Sequence, residues 1–124
     1  MHATLALLFC LNAPPADITE QKRLEAIEHL DAMIVCGPIE TRLTIHGYRA
    51  QLRLDQAAYE MEVRGPDAAI PWILAAMRRL DGIEANEASW TDEIRFDYWR
   101  HTAYAVEILG EEELALSLYE RGAR

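Results

Sequence analysis

Residues 41–65 read TRLTIHGYRAQLRLDQAAYEMEVRG. The period assigned to this stretch decides the fold. Alternation favours strands. Leu43 and Ile45 point one way in 41–46, and Tyr48, Ala50, Leu52 and Leu54 do so in 48–55. After a turn near Asp55 and Gln56, Tyr59, Met61 and Val63 continue the pattern. The opposite side carries Arg42, Thr44, His46, Arg49, Gln51 and Arg53 against Glu60 and Glu62. A sheet with one wet face follows, with cross-strand charge pairs such as Arg53–Glu60. A helix over 50–63 puts Leu52, Tyr59 and Val63 in register but matches fewer positions.

Working outward, residues 3–12 are apolar on both alternating sides, the pattern of a strand buried on both faces. Asn12 and two prolines break it. Asp17 or Thr19 caps a helix to about Val35, with Leu24, Ile27, Leu30 or Asp31, and Ile34 inward. Gly37-Pro38 stops it. Gly65-Pro66-Asp67 opens a second helix to about Leu80, burying Ile70, Ile73, Leu74, Met77 and Leu80, with Pro71 near its first turn and Gly82 closing it. Residues 83–90 read as a short strand. Thr91 caps a third helix to Leu109, which Gly110 stops, and Glu111–Glu113 start a last helix through Tyr119. The order predicts an α+β fold: a ferredoxin-like βαββαβ antiparallel sheet with two additional C-terminal helices. It occupies a single domain, 1–124, with 1–90 as the ferredoxin-like core and 91–124 as the helix pair.

With 51% apolar residues in 124, the chain can build a core. Its net charge of −9 excludes direct nucleic-acid binding, which needs a basic face. The charge is concentrated. Between Asp81 and Glu113 ten acids face only Arg95 and Arg100, so that window holds −8. Such a face suits a basic protein partner or simply solubility.

The stretch RFDYWRHTAY, 95–104, lies inside this window. As a helix it places Ile94, Tyr98, Ala105 and Ile108 on one stripe, with Phe96, Trp99, Ala103 and Val106 beside them. Asp97, Arg100, His101, Tyr104 and Glu107 fall on the remaining face, where Asp97–Arg100, Asp97–His101 and Arg100–Glu107 contacts are in reach. One reading is a core helix with a solvated ion-pair face. The other makes Trp99, Arg100 and Tyr104 an anchor for another protein, since these residue types carry interface energy.

No catalytic, cofactor or metal motif is present. The four histidines lack zinc-ligand spacing, and no phosphate-binding glycine pattern or nucleophile elbow occurs. Cys10 and Cys36 are too few for a disulfide framework and sit in apolar surroundings, which predicts reduced, buried thiols. The apolar opening lacks the basic start of a secretory signal, and no run approaches a membrane span, so the cytoplasm is expected. The expected function is a small acidic protein-binding module of the inhibitor or antitoxin/immunity type. It would occupy a basic, nucleic-acid-binding surface of its target through Glu84, Glu87, Trp99, Arg100, Tyr104, Glu107, Glu111 and Glu112, with no cofactor. The alternative is a homodimeric small-molecule-binding or sensor domain, paired through the outer face of the first strand.

Overall fold

The computed structural model describes residues 20–123. Within them the chain forms five α-helices and no strand: α1 Glu20–Ala32, α2 Ile39–Val63, α3 Pro66–Glu84, α4 Asp92–Ile108 and α5 Glu112–Gly122. The ferredoxin-like α+β expectation is overturned. The three strand-like segments of 41–65 are one 25-residue helix, about 37 Å long at 1.5 Å per residue. Residues 83–90 are the end of α3, a turn and a short 3₁₀ turn, Glu87–Ser89. The strand expected over 3–12 lies outside the described residues.

The alternation in α2 has a physical source. Leu43, Ala50, Leu54 and Ala57 form one buried stripe against α3 and α4. Ile45 and Leu52 form another against α1. The stripes lie on nearly opposite sides of the helix, so in sequence they interleave at i, i+2 and imitate a strand. A third line, Arg49, Arg53, Gln56 and Glu60, is also buried and polar. These spacings of four, three and four are helical, and the predicted Arg53–Glu60 pairing across strands does not exist. Glu60 instead accepts from Arg64 (2.6 Å) and Gln56 (3.0 Å) on its own helix.

That polar line seats α1 antiparallel to α2. Arg23 donates to Gln56 (2.9 Å), and Gln56 donates to Glu20 (3.1 Å). Arg49 donates to the carbonyls of Leu30 (2.9 Å) and Met33 (3.2 Å) at the C-terminal end of α1, where Leu30 also accepts from the Met33 amide (3.3 Å). Arg53 and Asp31 form a direct ion pair, and Arg49 and Arg79 approach the same carboxylate at 3.8 Å. α1 ends at Ala32, short of Val35, and Leu24 and Ile34 are exposed rather than inward.

α3 folds back on α2 across Gly65, whose φ of 95° suits a residue without Cβ. It runs to Glu84, past the expected end at Leu80, so Gly82 lies inside it. Ile73 and Leu80 are buried, whereas Ile70, Leu74 and Met77 are largely exposed. Thr91 caps α4 as expected, accepting from the Ile94 amide at 3.2 Å. α4 runs parallel to α2 and adds Ile94, Tyr98 and Ala105 to the core of Leu43, Leu54, Ile73, Leu80 and Ile83. Burying a leucine such as Leu54 fully is worth roughly 2–3 kcal/mol. α5 returns after Gly110 and packs chiefly on α4.

Candidate functional site

The structure divides the acidic window. Glu84 and Glu87 lie where α3 gives way to α4. Glu107, Glu111 and Glu112 lie where α4 gives way to α5. The two groups stand at opposite ends of the 17-residue α4, about 25 Å apart along its axis. Of the second group, Glu107 and Glu112 come together with apolar surface. A shallow groove of about 260 Å³ is lined by Glu107, Glu112, Ala115, Leu116 and Tyr119. Leu116 is more than half exposed, and Leu109, at the end of α4, is half exposed. Tyr119 donates to Glu107 at 2.7 Å. Burial, and then that carboxylate, push the Tyr119 phenol up to about 12, so it remains a donor at neutral pH.

All three expected anchor residues have internal partners. The Trp99 ring takes the Arg121 guanidinium at 4.4 Å and meets Tyr98 edge-on at 5.0 Å. Tyr104 donates to Asp55 at 3.1 Å. Arg100 is partly exposed and pairs with Asp97 at 3.3 Å.

His101 departs from its expected place. It is buried, at 3% exposure, on the α2 side of α4 rather than on a solvated face. Its Nε2 lies 2.6 Å from Gln51 Oε1. The Gln51 amide nitrogen donates to Asp55 (3.2 Å), which turns its oxygen toward the ring. Arg100 also approaches Nε2, at 3.4 Å, and Nδ1 is buried without a hydrogen-bond partner. Burial, assisted by the Arg100 charge, lowers the imidazole to about 3. Burial also raises the Asp55 carboxyl, against the pull of its bonds from Tyr104 and Gln51.

This polar chain borders a cleft of about 170 Å³ between α2 and α4. Leu43, Thr44, Gly47 and Tyr48 line one wall, Ile94, Asp97, Tyr98, Arg100 and His101 the other, and Ile83 of α3 contributes as well. The Tyr98 hydroxyl donates to Glu84 at 3.1 Å, and burial followed by that contact pushes it up to about 12. The sequence reading missed Gly47, Gln51 and Asp55. Gln51–Asp55 at i, i+4 and His101–Tyr104 at i, i+3 are matching polar pairs, but they meet only once 41–63 is a helix.

Among the described residues no group of three or more His, Cys, Asp or Glu could hold a metal ion. Cys36 is free and exposed, contrary to the expected buried thiol. No described helix is long and apolar enough to cross a membrane. No family model matches the chain, and no curated protein or solved structure matches it either.

Proposed function

We propose that the chain is a small acidic protein-binding module that seats the α4–α5 hairpin on a basic surface of another protein. Such a surface is what nucleic-acid-binding proteins present, and covering it would make this chain an inhibitor or an antitoxin/immunity-type partner. The supporting observation is the hairpin groove, which Glu107 and Glu112 line together with the exposed Leu116. Exposed leucines supply apolar area, and the carboxylates select a cationic rim and speed encounter. A net charge of −9 favours a protein target over nucleic acid itself. We place the module in the cytoplasm, where an exposed free Cys36 stays reduced. The homodimeric alternative rested on the outer face of a strand over 3–12, which lies outside the described residues.

The test is a tagged pull-down from the host cell at low and high salt, with Glu111→Lys/Glu112→Lys beside Glu84→Lys/Glu87→Lys. The hairpin pair should lose a basic partner that the wild type retains at low salt. The other pair should keep it. Equal retention by the hairpin variant, with unchanged salt dependence, would overturn the proposal.

A further inference from the structure

α3 carries an apolar row on its outer side. Ile70, Leu74 and Met77 follow one another at spacings of four and three, so they share one side of the helix. Leu74 is 54% exposed, and Ile70 and Met77 are exposed by more than a third. Pro71, also exposed, lies beside them. Asp67 stands one turn before the row and Asp81 one turn after it, both exposed. Among the exposed large apolar residues of the described chain, no others repeat at this spacing within one helix. Apolar side chains scattered singly over a surface need no cover, whereas a contiguous row bounded by charge is the mark of a contact surface.

The chain itself supplies a matching segment. Residues 1–16 hold no Asp, Glu, Lys or Arg, and among residues 3–11 only Thr4 is polar. Leu5, Leu7, Leu8, Phe9 and Leu11 bring an apolar area whose removal from water is favourable in proportion to its size.

The start of α1 lies where this segment can reach the row. Glu20 accepts from Gln56 (3.1 Å) and Arg64 (3.5 Å), which fixes it beside the end of α2. Arg64 stands two residues before Pro66, the first residue of α3. Ile70 follows about one turn later, about 6 Å along the axis. Residues 12–19 span up to about 27 Å when extended, and the row from Ile70 to Met77 is about 10 Å long. The tether is therefore long enough for residues 3–11 to lie along the whole row.

A second copy of the chain fits this surface less well. One row of three side chains falls far short of the roughly 20–30 residues a side that a stable interface uses. A tethered segment, by contrast, meets the row at an effective concentration on the order of millimolar, so a small contact area suffices.

We propose that the outer row of α3 is the docking surface for the chain's own segment 3–11, which lies across Ile70, Leu74 and Met77. The surface is separate from the hairpin groove and does not depend on it.

A spin label on Cys10 of the full chain carrying Cys36→Ser tests the placement. The side-chain methyl resonances of Ile70, Leu74 and Met77 should broaden, and more than those of Leu116 on α5. In a mixture of spin-labelled chains without isotope and isotope-labelled chains without spin label, the same resonances should stay sharp, because the contact lies within one chain. Leu74→Ser/Met77→Ser should keep the helical dichroism and free the segment, so that chymotrypsin cuts after Phe9 about tenfold faster. Broadening centred on another helix, broadening in the mixture, or an unchanged cleavage rate in the folded variant would each overturn the assignment.

Discussion

Acid should destabilise this protein through His101. In the folded chain burial holds this imidazole neutral to about pH 3, against an ordinary 6.5. The folded value is the lower one, so on acidification the unfolded chain takes up the proton first. Stability is complete above pH 6.5, falls as pH drops through it, and goes on falling to about pH 3. For a single group with an unfolded value near 6.5, the loss between pH 7 and pH 5 is about 2 kcal/mol. His46, also lowered by burial and then by Arg49, Arg79 and Arg42, adds to the loss with the same sign. Asp55, raised by burial, has the opposite sign, since its cost is relieved as pH falls. Both contributions cancel when the wild type is compared with His101→Gln, which keeps an amide donor for Gln51 and does not titrate. Urea unfolding at pH 7 and pH 5 gives the four free energies needed. The wild type should lose about 2 kcal/mol more than the variant across this interval. Parallel losses would refute the reasoning, because they would mean that His101 reaches solvent and protonates in the folded state.

Two further substitutions probe the helix contacts. A Cβ at Gly122 would lie 2.9 Å from Trp99 Cβ, a rigidly placed atom, so α5 must shift. Gly122→Ala should cost about 1–3 kcal/mol in urea unfolding and weaken the near-ultraviolet dichroism of Trp99, and unchanged spectra and stability would show that the helices tolerate the methyl. Asp31 is the shared anion of Arg49, Arg53 and Arg79. Asp31→Asn should cost about 2 kcal/mol, partly restored by added salt, whereas a change below about 0.5 kcal/mol would mean that backbone carbonyls, those of Leu30 and Met33 for Arg49 and that of Arg49 for Arg53, suffice to hold these two arginines.

The helices that face solvent on one side were legible in the sequence. Thr91 with acids behind it, and Gly110 after Leu109, marked α4 nearly to the residue. Gly65-Pro66 marked the start of α3. The central helix was not legible, because it has no solvent side to set a single phase. Leu52 belongs to the α1 contact and Leu54 to the α3–α4 contact, and adjacent alternate residues serving different neighbours look like one strand face. Buried Arg49, Arg53 and Gln56 strengthened the error, since long polar side chains read as a wet face. The site followed the fold. Glu107, Glu111 and Glu112 were recognisable only as members of the acidic window 81–113. The grouping with Glu84 and Glu87 was linear, and a helix of 17 residues separates them in space. His101 was assigned to the solvated face because the wheel of α4 alone does not show that Gln51 and Asp55 stand opposite it.

α5 contributes only Ala115 and Gly122 to the buried interior, and α2 contributes eleven residues. The molecule should therefore open unevenly. The amides of α5 exchange with solvent hydrogen through small excursions in which this helix lifts from α4, and those of α2 exchange only when the whole bundle comes apart. A partner gripping the α4–α5 hairpin would slow exchange in the region where the isolated chain is quickest. Protection factors along the two helices would thus report the bound state even where the contacts themselves are not seen.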